Sequence, residues 1–582
     1  MPSPPQSAAF DRHFARDLWH LTRVYWSSAD AKKAALLLAL CVALELGTVY
    51  GNVRLAGAQA RVFDAVQNKE AGAFLTAIEW FLAIALAVVL VSTYRIYARG
   101  ILQMRWRQHL TDHFLRQWMG PQAYCQRELF HKETDNPDQR IAEDIQSYVA
   151  SALGLSLSLL SAVATLVSFA GILWTLSGKW PLRLGTHEFW IPGLMMWVAI
   201  GYALLSTWLT HRVGRSLVSI NFNRLRYEAD FRYGLVRFRD NVEAVGLLRG
   251  NAVERQGALA RFGNVILNWW QLIAAQRNLS LLTSGIGQAN GVVPLLVAAP
   301  AFFAGRMTLG ALTETGIAYG QVSGSLAWFV NAYQEIAQWR ASIERLARFQ
   351  DVVDATRTEL LHGDGIRIEP SADAALHFVD VGLAQADGRL IADGLNATVP
   401  AGARLALLGP PGAVKTALFR AIAGIWPFGQ GRIELPAAAR PLFVPHQPYL
   451  SIGTLRQIVS YPSPAGAFGD GKIAAALGLL DLDHLQTRLD DAEPWEQLLS
   501  SDEQQRLMFV RVLLHEPDWI FMDDATATLD GAMERRIYTT LAARLPHATV
   551  LSITNRPGVA ELQEHRWTIA INGAGRMALE AA

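Results

Sequence analysis

Runs without a charged side chain dominate the first half of the chain. Ile145 to Gly178, Phe189 to Thr210 and Asn278 to Gly305 carry none, and Trp80 to Tyr94 is charge-free and extends back through Phe74 if Glu79 is tolerated near one end. A charge at the bilayer centre costs about 2.5 to 3.5 kcal/mol on insertion scales, so each run predicts a membrane-spanning helix. Two weaker segments complete a set of six: Ala34 to Val53, interrupted by Glu45, and Leu309 to Tyr333, which holds Glu314, Tyr319 and Gln321. A sixth helix this polar belongs in a bundle interior or along a water-filled cavity rather than against lipid. The two long connections, Ala98 to Asp144 and His211 to Arg277, carry seven and eleven Lys or Arg, whereas the three short ones hold six together. The positive-inside rule therefore places the long connections and the N-terminus in the cytoplasm. In the first long connection Arg105, Arg107, His109, Arg116 and Trp118 interleave with apolar positions, which predicts helices that continue beyond the bilayer.

Beyond Gln350 the apolar runs shorten to strand length, as in Leu376 to Val381, Leu395 to Val399 and Arg404 to Leu408, with Gly and Pro between them. That change of period predicts a second, α/β domain. Composition agrees: 18% of the 582 residues are charged, against roughly 25% for a soluble globular protein. The net charge of +1 is a cancellation, +10 over the first 350 residues and −9 over the remaining 232. Near-neutrality argues against a nucleic-acid-coating protein, and two cysteines, Cys41 and Cys125, exclude a disulfide scaffold and a cysteine-rich zinc site. Met1 to Ala9 lacks the basic-then-apolar order of a secretory signal, so insertion is expected to use internal spans. His109 and His113 stand one helical turn apart without the Glu of a zincin, Trp269-Trp270 mark an interface belt, and the stretch after Ile571 is expected to be a solvated tail.

The strand Arg404 to Leu408 runs into Gly409-Pro410-Pro411-Gly412-Ala413-Val414-Lys415-Thr416, and a helical pattern follows through Ala423. This is a strand, a phosphate loop and a helix. In such a loop backbone N–H groups wrap the phosphates, the Lys reaches the β and γ oxygens, and the hydroxyl ligates Mg²⁺. The second motif glycine is Val414 here, and a β-branched residue resists positive φ and crowds an approaching phosphate. Downstream, Trp519-Ile520-Phe521-Met522-Asp523-Asp524 is an apolar strand ending in two carboxylates, the arrangement that places a Mg²⁺-holding Asp beside the loop. Leu499-Ser500-Ser501-Asp502-Glu503-Gln504-Gln505-Arg506 precedes it, and Ala527-Thr528-Leu529-Asp530 follows.

In this order and spacing the elements resemble the signature, Walker B and D-loop segments of an ATP-binding-cassette transporter. Six spans before one cassette resemble a half-transporter, and nearly the whole chain is covered. Asn136 to Asp144, Gly424-Ile425-Trp426-Pro427, Pro448-Tyr449-Leu450, Gly453-Thr454-Leu455-Arg456 and Tyr461-Pro462 are similar to the branch that joins SbmA/BacA-like permeases to cassettes, to which peroxisomal acyl-CoA transporters are also similar. The resemblance implies an α-helical six-span transmembrane domain of exporter type followed by an α/β P-loop nucleotide-binding domain. The expected division is 1–33 as a cytoplasmic segment, 34–350 as the membrane domain and 351–582 as the cassette. It implies ATP and Mg²⁺ as cofactors and, as partners, the lipid bilayer, a second copy or a related half-transporter, and a transported small molecule or peptide, with no nucleic acid. The cargo classes it implies are a peptide, a cobalamin-like molecule or a fatty-acyl derivative, and the expected location is a bacterial inner membrane, crossed several times with N-terminus and cassette cytoplasmic.

Residue by residue, the resemblance assigns Gly409 to Thr416 and the signature residues Ser500 and Asp502 to nucleotide, Thr416 and Asp523 to metal, and Asp524, Asn555 and His446 to catalysis. Five of these depart from the family pattern: Val414 and Asp502 replace glycines, His446 the Q-loop Gln, Asp524 the catalytic Glu and Asn555 the switch His. Asp524 is one methylene shorter than Glu, Asn555 cannot become cationic, and a carboxylate at Asp502 about 5 Å from phosphate repels by roughly 3 kcal/mol at an effective dielectric near 20. Weak hydrolysis is the expectation. Two alternatives are a transporter driven by an ion gradient, with Glu45 and Glu314 as ionisable candidates, and a non-transporting, nucleotide-sensing membrane subunit.

Overall fold

The computed structural model describes residues 12–120, 136–177, 179–184, 187–362, 365–385, 387–409, 413–571 and 577–581. The chain divides into two compact units, Met1–Phe114 with Asn136–Phe349, and Leu115–Asp135 with Gln350–Ala582. Among the described residues, five helices are long and apolar enough to cross a membrane: Ala31–Asn68 (α2), Ala71–Trp118 (α3), Pro137–Ser177, Leu194–Asp240 and Asn251–Phe303. The third includes α4 (Ile145–Ser177), the fourth divides into α5 (Leu194–Gly214) and α6 (Ser216–Asp240), and the fifth is α7. A shorter helix, α1 (Arg12–Trp26), precedes them.

The interleaved basic stretches are indeed helix continuations, since α3 runs to Trp118 and α7 starts at Asn251. The sixth expected span is shorter than its sequence window. Leu309–Leu326 is a helix (α8), but the chain turns at Ala327 before α9 (Trp328–His362), and α8 is not among the five apolar helices. The fourth span also begins later than expected, at Leu194 rather than Phe189. Lys179–Leu184 (β1) and His187–Pro192 (β2) pair antiparallel, and Gly193, at φ +65, makes the turn into α5. A side chain at Gly193 would strike the Trp174 ring as well as the disfavoured φ.

Polar groups at the helix starts and inside the spans of the first unit are paired across helices. Helix α8 starts against α2: Leu309 N–H donates to Gln67 Oε1 at 2.6 Å, Gly310 N–H to Asp64 Oδ1 at 2.7 Å, and Thr308 caps Ala311 N–H. Three of the N–H groups that a helix start leaves orphaned are thereby taken up. Glu45, the interruption in the first span, accepts from Arg95 of α3 at 2.8 Å. Gly51 lets these two helices meet, because a Cβ there would lie 2.5 Å from Val88 Cγ2. Glu45, Arg95, Ser158, Gln321, Ser325 and Asn331 are among the residues around a polar cavity of about 490 Å³, and Gln321 and Ser325 come from α8. The polar sixth helix therefore does line a cavity.

The Asn136 to Asp144 stretch enters α4 through a π-helical turn, Arg140–Asp144. This places the buried Asp144 carboxylate against Arg140 and in a two-pronged contact with Arg345, Nη2 at 2.5 Å and Nε at 2.9 Å.

In the second unit β12-β11-β6-β10-β9-β8 form a six-stranded sheet and β3-β7-β4-β5 a four-stranded one. The large sheet comprises β6 (Arg404–Leu408), β8 (Pro441–Val444), β9 (Trp519–Asp523), β10 (Thr549–Ile553), β11 (His565–Ile571) and β12 (Met577–Ala581). The smaller one comprises β3 (Arg367–Ser371), β4 (Leu376–Ala384), β5 (Leu390–Val399) and β7 (Gly429–Pro436). Strands β8, β9, β10, β6 and β11 run parallel; β8, β9, β10 and β6 are mostly apolar, as expected of strands covered on both faces, whereas β11 opens on the exposed His565 and Arg566. The expected solvated tail is instead an edge strand, with Met577 to Ala581 antiparallel to β11.

Removing Asp144 would take a buried carboxylate from between Arg140 and Arg345, and breaking a buried pair on one side costs about 3 kcal/mol. Asp144→Ala is expected to lower the thermal unfolding midpoint of the purified chain in detergent by several degrees. Arg345→Ala, whose cation is more exposed, should lower it less. Equal midpoints for Asp144→Ala and the parent would contradict this account.

Candidate functional site

Parallel pairing brings the chemistry to one edge. Leu407 of β6 lies opposite Ile553 of β10, and Ile553 lies opposite Asp523 of β9, while Val444 of β8 lies opposite Met522. The segments leaving the carboxyl ends of these strands therefore carry Gly409 to Thr416, His446, Asp523 with Asp524, and Asn555. Ligands of open α/β sheets bind at this edge. Pro410, Pro411 and Gly412 lie outside the described residues. Helix α10 (Ala413–Ile422) follows, so its N-terminal N–H groups and their partial positive charge face the loop.

Lys415 is 5% exposed, and its Nζ has no hydrogen-bond partner among the described residues. A buried ammonium without an acceptor is costly, and an anionic ligand at the loop would satisfy it. Asp523 is about half-buried, and burial together with the neighbouring Asp524 pushes its carboxyl above the usual range, with Lys415 and His446 opposing. By the chemistry of their donors, the Thr416 hydroxyl and the Asp523 carboxylate fit Mg²⁺, and Lys415 with the α10 N-terminus fits phosphate.

Asp524 adopts a left-handed backbone, φ +44, held by its N–H to Ile553 O at 2.9 Å. His446 Nδ1 donates weakly to the Asp524 carbonyl at 3.4 Å. Asn555 is exposed.

Val414 overturns the steric argument drawn from the sequence. It has no positive φ, is 8% exposed, and packs in the apolar cluster with Leu405, Ala417, Leu418 and Phe521. Its side chain is thus buried among apolar neighbours.

Helix α11 (Ser501–His515) carries the signature. Ser500 caps it in a reciprocal capping box with Glu503: the Glu503 N–H donates to Ser500 Oγ at 3.2 Å, and Ser500 N–H and Oγ–H donate to Glu503 Oε2. The Asp502 carboxylate pairs with Arg506 one turn on, at 2.5 Å, and Arg506 is fixed by the carbonyls of Leu480 and Asp481. The carboxylate thus carries its own counter-charge, which reduces the repulsion expected of a bare one.

Sequence reasoning missed three residues that hold these loops together. Gln505, 2% exposed, donates to His446 O at 3.3 Å and accepts from Thr528 N–H and Oγ–H at 3.1 and 2.7 Å, tying α11 to the segments on either side. Arg556, next to Asn555, donates to the carbonyls of Thr526 and Leu529 and pairs with Glu534 at 3.1 Å. Glu534 in turn accepts from Thr526 Oγ at 2.6 Å. Sequence spacing signals none of these three, whereas the Ser500 to Glu503 capping pattern and the Asp502 to Arg506 spacing of four can be read from the chain.

Comparison with known proteins follows this geometry. Residues 21–303 match the family profile "ABC transporter transmembrane region 2" and residues 392–527 the profile "ABC transporter". An inner membrane ABC transporter ATP-binding protein of Escherichia coli, YddA, is 30% identical over 546 residues, 94% of this chain and 95% of that protein. The chloroplastic ABC transporter D family member 2 of Arabidopsis thaliana is 28% identical over 611 residues, 92% and 84% of the two chains. The structure of a bacterial Atm1-family ABC exporter with ATP bound superposes with a TM-score of 0.69 at 18% identity, covering 94% of this chain and 95% of that one, a likeness of fold.

An unpartnered buried ammonium destabilises the nucleotide-free protein. Lys415→Met is therefore expected to raise the unfolding midpoint without nucleotide while abolishing the further rise that Mg-ATP produces in the parent. A lower midpoint without nucleotide would show that Lys415 is already satisfied.

Proposed function

The chain belongs to the ABC transporter family as a half-transporter with its membrane region and cassette in one polypeptide, and from that premise we propose a dimeric, multi-pass transporter of the bacterial inner membrane with weak ATPase activity. The observation that carries the nucleotide part is the buried, unpartnered Lys415 Nζ beside Asp523 at the start of α10. Lys415 and the α10 N-terminus hold the phosphates, and Thr416 and Asp523 hold Mg²⁺. The ion, when bound, neutralises phosphate charge. Asp524 positions water for attack, but a shorter side chain must reach a proton within roughly 2.6 to 3.2 Å or act through a second water. Asn555 donates an amide hydrogen bond where a His could supply a cation, so developing charge is stabilised less.

The balance among the substitutions differs from the one read in the sequence. Val414 is part of the core and Asp502 is paired, so binding and dimer closure are the less affected steps and hydrolysis the more affected one. The inner-membrane location follows the name of the Escherichia coli relative, and the cytoplasmic placing of N-terminus and cassette follows the arginine distribution.

For the cargo, the cavity lined by Glu45, Arg95, Ser158, Gln321, Ser325 and Asn331 favours a hydrogen-bonding peptide or cobalamin-like molecule over a fatty-acyl chain. The ion-gradient alternative loses one of its candidates, because Glu45 is occupied by Arg95.

Two measurements test this. ATPase activity of the purified chain in lipid should be low and should rise about tenfold or more when Asp524→Glu is combined with Asn555→His, the range in which general acid–base groups act. An ordinary transporter rate in the parent, abolished by Lys415→Ala, would refute weak hydrolysis. Adding Val414→Gly to the double variant should give no further activity and should lower the unfolding midpoint, since it removes buried methyls and places Gly in a helix. A gain in activity would return Val414 to the list of defects.

A further inference from the structure

Helices α2 and α3 enclose a second cavity, of about 480 Å³, whose chemistry is the opposite of the polar one. Its walls are Gly47, Gly51, Val88 and Val91 with Tyr50, Ile84 and Ala87, and its only charged residues are Arg54 and Arg61. The size falls in the range of small-molecule sites. Gly47 and Gly51 remove two side chains from the α2 wall, and the contact of Gly51 with Val88 closes the floor.

The charges are arranged by depth. Arg54 is the first residue after the apolar segment Ala34 to Val53, and Arg61 lies two turns further along the same face of α2. From Gly47 to Arg61 the groove follows about 21 Å of helix, apolar at one end and cationic at the other. Neither arginine pairs with a carboxylate among the described residues: Arg54 makes no hydrogen bond there, and Arg61 donates only to Gly57 O at 3.4 Å. Both side chains are exposed, and Trp80, 60% exposed, stands opposite on α3 at the level where indole rings favour the interface. The most apolar stretch of α3 has none of its residues buried, so this face is open.

We infer that the α2–α3 groove is a binding site for an anionic phospholipid of the outer leaflet, its phosphate on Arg54 and Arg61 and one acyl chain laid along Gly47, Gly51, Val88 and Val91. The charge complementarity selects an anion and the apolar floor selects a chain attached to it. The assignment of the outer leaflet rests on the proposed cytoplasmic N-terminus. The site is separate from the polar cavity lined by Glu45 and Arg95, so cargo and lipid need not compete.

The test uses the full chain in phosphatidylcholine nanodiscs carrying increasing phosphatidylglycerol brominated on its acyl chains. Tryptophan quenching in the parent, less that in Trp80→Phe, isolates Trp80. Half-maximal quenching of Trp80 is expected at a phosphatidylglycerol fraction several-fold below that of the remaining tryptophans. The double variant Arg54→Gln with Arg61→Gln should move it up to theirs. Ala87→Phe, which narrows the groove and keeps both charges, should do the same, with unchanged unfolding midpoints showing that all variants fold. Coincident curves in the parent would overturn the proposal, as would a Trp80 shielded from quenching altogether, which is what a second copy packed over the groove would produce. Reversal by soluble inorganic phosphate would likewise overturn it in favour of a free-anion site. Mg-ATP binding on the same samples tests the transporter reading independently, since no nucleotide residue lies in the groove.

Discussion

A buried polar group without a partner costs on the order of 1 to 3 kcal/mol, more if it is charged, and this constraint shapes both units. In hydrocarbon it leaves only helices for the spanning segments, because each N–H must find its carbonyl within the segment. It then decides where helices meet. The start of α8 is placed against α2 because Asp64 and Gln67 accept the N–H groups that α8 cannot satisfy itself. Glu45 is tolerated within a span because Arg95 reaches it, and Asp144 is tolerated in a buried turn because two arginines converge on it.

The same requirement organises the cassette without help from nucleotide. Gln505 has a donor and an acceptor to satisfy, and it meets both by joining the carbonyl of His446 to Thr528. Arg556 and Glu534 do the equivalent for the segment between Asp524 and Asp530. Substitution at His446, Asp524 and Asn555 leaves these links intact, because they run through backbone carbonyls or through neighbouring side chains. What distinguishes the site from its family pattern is therefore the chemistry of particular side chains, with the frame that carries them preserved. Lys415 Nζ is one of the buried polar atoms without a partner among the described residues, and it is the charged one that stands at the start of α10 beside Asp523, where an anionic ligand would meet the requirement.

Much of the architecture was legible because its causes are local. Charge-free runs gave the apolar helices, and the Arg404 to Thr416 and Trp519 to Asp524 patterns gave β6, α10 and β9, since hydrophobic period and strand-to-loop transitions are properties of a short window. The end of β2 was absorbed into a predicted span because Phe189, Trp190 and Ile191 are as apolar as a helix requires, and β1 was read as part of a short connection. The alternation of Trp180, Leu182 and Leu184 with Lys179 and Arg183 was the available signal. The β12 edge was missed because five residues take up strand structure only through β11. Val414 was misread for a related reason. A motif position states which backbone atoms approach a phosphate but not what surrounds a side chain, and at this one the side chain is buried among apolar neighbours.

Asp502 shows how a magnitude drawn from one residue changes when its neighbour is placed. The repulsion of roughly 3 kcal/mol assigned to it assumes an isolated carboxylate about 5 Å from phosphate. Arg506 sits 2.5 Å from that carboxylate, is itself mostly buried, and is held by two backbone carbonyls, so it cannot swing away as a surface arginine would. A paired carboxylate presents a dipole, whose field falls faster with distance than that of a charge. The barrier to closure is then reduced, while nothing in the site replaces the methylene missing from Asp524 or the cation missing from Asn555. On the proposed reading the two steps of the cycle are therefore unequally affected. A cassette that can bind and close but hydrolyses slowly would spend most of its cycle in the nucleotide-bound state, and reopening would set the pace of transport.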